Sequence, residues 1–325
     1  MVNPLQAEFP SPHEILVPPA FAGERLDVVL AKLLPQYSRS LLQRWIDLGH
    51  VLLDGATPRR RVLIQGGEQL KIQPIFLPVT KVLAEELIVP LDVVHRDAAV
   101  MVINKPAGLV VHPGAGIRSG TLQNALLALE PALALVPRAG IVHRLDKDTS
   151  GLLIVARIPT AHAKLVKMLA RREVGREYLA LCNGVMTGGG TITEPIGRHR
   201  TQRVRMAVRS DGRVSVTHYR IERRFRGHTL ARVELETGRT HQIRVHLGHI
   251  GYAIVGDPVY GGRKRLPAGA SAPVISALAG FRRQALHATR LSFQNPITGK
   301  ALIFEVPVPE DFAALLYILA AESGS

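Results

Sequence analysis

At 325 residues with 46% hydrophobic content, the chain can bury a substantial core and exceeds the usual size of one domain, which excludes a disordered protein and favours a large domain plus a small module. Lysine and arginine number 41 against 26 acidic residues, and the formal charge of +15 points to a polyanionic partner, with nucleic acid ahead of an anionic membrane surface. No apolar run reaches the roughly 18 residues of a spanning helix, Met1 to Pro19 lacks the pattern of a secretory signal, and the one cysteine, Cys182, excludes an intramolecular disulfide and a Cys-rich zinc site, so a cytoplasmic protein is expected.

Residues 1–13 read as a flexible tail. Leu26, Val29, Leu30, Leu33 and Leu34 recur at helical spacing. A second helix follows, with Ser38 or Ser40 as cap, Leu41, Leu42, Trp45, Ile46 and Leu48 as apolar positions, and Gly49 ending it. Val51 to Leu53, a turn at Asp54-Gly55, and the strand-like Val62 to Ile64 and Gln69 to Ile72 complete a small unit over 14–74. Arg39 and Arg44 on the second helix and the run Arg59, Arg60, Arg61 offer one basic face for phosphates, although eight basic and seven acidic residues before Lys81 leave the module almost neutral.

Pro74, Pro78 and Pro90 punctuate a linker over 75–90, and a large domain fills 91–325. Beyond residue 80, 33 basic residues stand against 19 acidic ones, so nearly all the excess charge lies here. The densest part, Arg198 to Arg226, holds ten arginines and two acids, Asp211 and Glu222, the composition of an RNA-backbone contact surface. Strand-like Val214 to Tyr219, Thr229 to Leu235 and Leu302 to Val306 alternate with helix-like His162 to Leu169 and Asp311 to Ala321, which predicts a mixed domain dominated by strands. Gly261 to Pro273 reads as a mobile, RNA-facing loop, and no internal repeat or low-complexity tract is present.

The most informative run is His143-Arg144-Leu145-Asp146-Lys147-Asp148-Thr149-Ser150-Gly151, a polar turn ahead of the apolar Leu152 to Ala156. Asp146 is thereby placed just outside a sheet, on a loop held by a rigid scaffold. Taken alone, such a segment is equally a solvated turn with side-chain to backbone hydrogen bonds. Four further strings accompany it: Asn104-Lys105-Pro106-Ala107-Gly108-Leu109-Val110-Val111-His112-Pro113-Gly114, Arg171-Arg172-Glu173-Val174-Gly175-Arg176-Glu177-Tyr178, Glu236-Thr237-Gly238-Arg239-Thr240-His241-Gln242-Ile243-Arg244-Val245-His246, and Val255-Gly256-Asp257-Pro258-Val259-Tyr260-Gly261. With these strings the large domain resembles the RluA family of RNA pseudouridine synthases almost end to end. Ser38-Arg39-Ser40-Leu41-Leu42-Gln43-Arg44-Trp45-Ile46 followed by Gly49-His50-Val51-Leu52-Leu53-Asp54-Gly55 resembles an S4 RNA-binding domain.

The resemblance implies an α+β fold: a mixed, largely antiparallel sheet with flanking helices and a central cleft, preceded by a small α/β S4-like domain. It implies Asp146 as the essential carboxylate, Arg244 as its cationic partner, Tyr178 as the ring packed on the target uracil, Arg144 filling the space left by an extruded nucleotide, and Ile243 as a substrate contact. The implied substrate is 23S rRNA at the helix 69 hairpin, free or in a pre-formed large subunit, and no cofactor or metal is implied. No DNA or membrane partner is expected, and a monomer is the default.

Isomerising uridine to pseudouridine breaks the N1–C1′ bond and rejoins the base through C5, which a carboxylate can assist as nucleophile or base. An ionised carboxylate in a closed pocket needs a paired cation. Ile243 and Val245 flank Arg244 as an alternating strand would, placing it on the opposite face. In such a strand His241 and His246 face opposite ways, which argues against a metal held by His241, His246 and His249. His143 reads as a structural hydrogen-bonding residue, and Asp148 and Asp257 as loop supports. Two alternatives stay open, a synthase of the same family acting on tRNA or other rRNA sites, and a non-catalytic rRNA-binding assembly factor. The presence of Asp146, Tyr178 and Arg244 together weighs against the second.

Overall fold

A computed structural model describes residues 12–35, 37, 39–75, 82–85, 87, 90–114, 116–117, 119–202, 204–262, 266–267 and 269–323. The first unit contains strand β1 (His13–Leu16), helices α1 (Leu26–Leu33) and α2 (Arg39–Asp47), and strands β2 (Val51–Leu53) and β3 (Gln69–Ile72). Its sheet runs β1-β3-β2, antiparallel throughout. Leu26, Val29 and Leu30 of α1 meet Leu42, Trp45 and Ile46 of α2 over Val51, Leu70 and Ile72, a core of its own. Asp54 and Gly55 both have positive φ, 49° and 79°, and Leu53 bridges Ala56, so this pair makes the tight turn that such dipeptides favour.

One expectation on this unit changes. Val62 to Ile64 form no strand; their backbone serves α1 instead, Leu26 N–H donating to Val62 O at 2.9 Å and Leu63 forming an isolated bridge to Arg25. Residues 1–11 of the expected tail and the cap Ser38 lie outside the described residues, as does the side chain of Ser40, while His13, the last residue of that tail, begins β1.

The second unit follows with β4 (Asp92–Arg96), β5 (Val100–Lys105), α3 (Leu122–Leu129), β6 (Ser150–Ala156), α4 (Pro159–Ala170), β7 (Gly175–Asn183), β8 (Gly190–Ile192), β9 (Ile196–Arg198), β10 (Met206–Val208), β11 (Thr217–Arg224), β12 (His228–Leu235), α5 (Gln242–His249), α6 (Ala272–Gly280), β13 (Leu286–Gln294), β14 (Ala301–Glu305) and α7 (Glu310–Ser323). Nine strands form one sheet in the order β4-β5-β6-β13-β7-β12-β11-β8, with β14 on β13, while β9 and β10 pair separately. Among the described residues only the short β6–β13 contact is parallel. Every residue of β6 is buried, as its continuous apolar run requires of a strand covered on both faces. Of the expected linker, Leu83 O accepts from Asn124 Nδ2 and Glu85 accepts the Gly120 N–H, so this part packs at the start of α3. Among the described residues no helix is long and apolar enough to cross a membrane.

Gly151 fixes where the Asp146 loop leaves the sheet. Its φ is +109°, and a Cβ there would stand 2.2 Å from Ala288 O, so only glycine lets β6 approach β13 this closely. Ala288 is paired with Gly151 on one side and Tyr178 on the other. One row across three strands thus brings the base of the Asp146 loop level with Tyr178.

Candidate active site

The loop before β6 is held at several points. Thr149 N–H donates to Asp146 O at 3.1 Å, closing a turn, and Gln284 Nε2 donates to Thr149 Oγ1 at 3.0 Å. Lys147 O accepts from Gly108 N at 3.0 Å and from Lys105 Nζ at 2.9 Å. Lys105 is fully buried, and its Nζ also donates to Pro106 O and Leu109 O at 2.7 and 2.9 Å. Burial pushes its pKa down to about 7 against the opposing pull of Asp148 and Asp146. Three carbonyl acceptors match the three N–H groups of the ammonium form, which favours that form against burial. His143 accepts the Ile154 N–H through Nε2 at 3.0 Å, a structural bond, and desolvation pushes its pKa down to about 3.

Arg244 lies on helix α5, which overturns the alternating strand read from Ile243 and Val245. The preceding His241 has φ of 57°, and Gln242 anchors the first turn by accepting from Arg239 N and Thr237 Oγ1 and donating to Thr217 Oγ1. Gln242 through Leu247 are all buried, so no polar face reveals a helical period. The histidines likewise sit on or beside a helix rather than on opposite strand faces. His246 meets Thr217 Oγ1 and Glu194 O, both at 2.8 Å, and among the described residues no group of three or more His, Cys, Asp or Glu is placed to hold a metal.

Arg244 NH1 donates to Asp146 Oδ2 at 2.9 Å across 98 residues of sequence. Its Nε and NH2 donate to the two oxygens of Asp257 at 2.7 and 2.8 Å. Burial opposes the guanidinium charge, but the bonds and attraction to Asp257, with Asp146 adding, hold its pKa above the usual arginine value. Burial alone would raise the Asp257 carboxyl; Arg244 and the N–H groups of Tyr260 and Val259 hold it below the usual range. Asp257, read from sequence only as a loop support, is therefore the main anchor of Arg244.

His241 Nε2 stands 3.9 Å from Asp146 Oδ1, and its Nδ1 meets the Tyr260 hydroxyl at 2.8 Å. That hydroxyl also accepts the Met206 N–H at 2.8 Å. The Tyr260 ring carries Arg244 on it at 5.0 Å and Arg205 at 5.3 Å, linking the Arg-rich segment to the Asp146 surroundings. Tyr260 does not stand out in sequence as a site residue, and His241 does so only in the rejected metal reading, although both lie inside the quoted strings.

A cleft of about 680 Å³ opens over this arrangement, lined among others by Arg144, Asp146, Arg176, Tyr178, Ile243 and Arg244. Tyr178 is 5% exposed, and burial, with Asp146 nearby, raises its phenol pKa while Arg176 opposes. Arg144 is exposed and Ile243 buried. None of the N-terminal arginines is among the residues that line this cleft. Arg39 gives its fork to the fully buried Asp27, which Arg25 and Gln43 also contact, and Arg60 pairs with Asp47, so both charges are partly compensated. Arg44, Arg59 and Arg61 are exposed.

A family model described as RNA pseudouridylate synthase matches residues 99–249, and an S4 domain model matches residues 24–57. Proteins named Ribosomal large subunit pseudouridine synthase D are similar over nearly the whole length: that of Xanthomonas campestris pv. campestris is 51% identical, covering 96% of this chain and 93% of its own, and that of Pseudomonas aeruginosa 53% identical, covering 93% and 94%. Among solved structures, Human RNA Pseudouridylate Synthase Domain Containing 4 superposes with a TM-score of 0.55 at 26% identity, over 70% of this chain and 93% of that one.

Proposed function

The chain belongs to the RNA pseudouridylate synthase family, and we propose that it isomerises uridine to pseudouridine in large-subunit ribosomal RNA, at the helix 69 hairpin, using Asp146 and no cofactor. The observation that carries this reading is the carboxylate of Asp146, held by Arg244 at 2.9 Å and opening into a cleft beside Tyr178. Oδ2 is occupied by Arg244, which leaves Oδ1 toward substrate. That oxygen attacks carbon or takes a proton while the N1–C1′ bond breaks and C5 replaces N1 on the sugar. Arg244 supplies a fixed counter-charge beside the carboxylate.

The flat face of Tyr178 suits stacking against a base taken out of its helix, and exposed Arg144 at the cleft suits the space such a base leaves. Ile243 provides apolar wall. The S4-like module and the Arg-rich segment supply sequence-independent attraction to RNA, so the choice of uridine falls to RNA shape and splayed loop bases. In this reading the protein acts as a monomer in the cytoplasm, on rRNA free or in a large subunit.

Release of tritium from C5-labelled 23S rRNA tests the reaction. The parent releases label and Asp146→Asn does not; release by Asp146→Asn at the parental rate overturns the role of Asp146, and none by the parent overturns the enzyme reading in favour of an RNA-binding assembly factor. Mapping pseudouridines in a deletion strain tests the substrate, and an unchanged helix 69 refutes that target.

A further inference from the structure

Two arginines are buried among the described residues, Arg244 at 5% and Arg176 at 7% exposure. Their settings are opposite. Arg244 lies between the carboxylates of Asp146 and Asp257. Arg176 has no carboxylate partner among the described residues. Its NH2 reaches only Leu235 O and Glu236 O, at 3.2 and 3.3 Å, and its Nε is buried with no acceptor. A buried cation whose charge the protein leaves unmatched is costly.

The chain nevertheless makes room for this guanidinium. A Cβ built on Gly238 would stand 2.8 Å from Arg176 NH1, so the turn after β12 carries no side chain where NH1 lies. Arg176 and Tyr178 are two residues apart on β7, which puts both on one face of the sheet about 7 Å apart. Both line the cleft that holds Asp146. A single nucleotide spans such a distance.

We infer that Arg176 receives a negatively charged oxygen of the nucleotide held over Tyr178, and that the substrate thereby provides the counter-charge this arginine lacks. The inference rests on the proposed reaction. Two parts of the nucleotide carry such an oxygen. One is a phosphodiester beside the target. The other is the uracil itself: when the C1′–N1 bond breaks, both electrons stay with the base as a uracil anion whose charge spreads onto its carbonyl oxygens. That charge is consumed when C5 bonds to C1′, the proton leaves C5, and N1 gains a proton, with no net change in composition.

The test uses the full chain with Arg176→Gln and Arg176→Lys, measuring RNA affinity at several salt concentrations, the single-turnover rate at saturating RNA, and thermal stability. If the oxygen is a phosphodiester's, the Gln variant binds more weakly, its salt slope falls by about 1, its saturated rate is kept, and Lys restores affinity. If it is the uracil's, affinity is kept, the single-turnover rate falls on the order of 100-fold or more, and Lys restores part of it. Parental binding and rate in Arg176→Gln overturn the inference. So do equal losses in Gln and Lys with an equally lowered Tm, because that pattern belongs to a prop for the turn at Leu235 to Gly238. A parent that releases no tritium fails the assigned reaction, and the salt dependence of RNA binding then still judges Arg176 by its phosphodiester arm.

Discussion

Replacing Asp257 with asparagine separates the two carboxylates that share Arg244. Asp257 Oδ1 accepts from Arg244 NH2, Val259 N and Tyr260 N at 2.8, 2.8 and 3.0 Å, and Oδ2 accepts from Arg244 Nε at 2.7 Å. An asparagine has one acceptor oxygen. With that oxygen in the Oδ1 place, its amide N–H2 confronts the Nε–H of Arg244, and in the flipped orientation it confronts three donors instead. Breaking a buried pair costs about 3–5 kcal/mol, and the lower end applies because Asp146 still meets part of the charge. For a domain of this size about 3 kcal/mol lowers Tm by about 6–12 °C. The rate should fall by about 100-fold, since the guanidinium that orients Asp146 loses its fixed position.

Asp146→Asn should behave in the reverse way. Asp146 takes one hydrogen bond from Arg244, which keeps Asp257, and an asparagine oxygen can still accept that N–H. The stability change stays near 1 kcal/mol or less while activity disappears. Thermal unfolding of both variants beside the parent, with single-turnover tritium release from 23S rRNA, gives the comparison. An Asp257→Asn protein that melts within about 2 °C of the parent and turns over at its rate would refute the anchoring role, as would an Asp146→Asn protein destabilised as much as Asp257→Asn.

Gly151→Ala forces a Cβ to within 2.2 Å of Ala288 O at a φ of +109°, so β6 must move off β13; a large fall in Tm together with loss of activity is expected, and a protein that melts like the parent refutes the close approach. Lys105→Met takes the Nζ donor from Pro106 O and Leu109 O and leaves Lys147 O only its bond from Gly108 N–H; a loss of about 2–5 kcal/mol in urea unfolding is expected, and a change under about 0.5 kcal/mol contradicts a lysine bonded to all three carbonyls. His143 has a folded pKa of about 3, below the unfolded value near 6.5, so its contribution is whole above about pH 6.5 and is lost as pH falls toward 3, by up to about 1.4 kcal/mol per pH unit. His143→Gln keeps an acceptor for Ile154 N–H and removes the titration, so its urea midpoint should fall less steeply than the parent's from pH 6.5 to 4; parallel curves would exclude His143 as a source of the acid sensitivity.

What the sequence makes legible is whatever a short stretch decides for itself. The buried strand at Leu152 to Ala156 is such a stretch, as are the turn at Asp54-Gly55, the α1 and α2 stripes, and the polar loop that presents Asp146. Helix α5 escapes because burial on all sides erases its amphipathic period, and the flanking Ile243 and Val245 then imitate a strand. Asp257 is visible as part of a Gly-Asp-Pro string, yet its purpose depends on a guanidinium 13 residues earlier that folds back onto it from a helix. The row Gly151, Ala288, Tyr178 is further out of reach, because β13 enters between β6 and β7 from more than 100 residues downstream of either, and no local pattern encodes that insertion. Arg176 shows the same limit from the energetic side. Beside a string of ordinary basic residues it looks like one more surface charge, and only its burial without a carboxylate distinguishes it. A motif can therefore nominate the carboxylate of a site, but the identity of its anchors and of its unmatched charges is a property of the three-dimensional arrangement, where desolvation decides which charges the protein balances itself and which it leaves for the substrate.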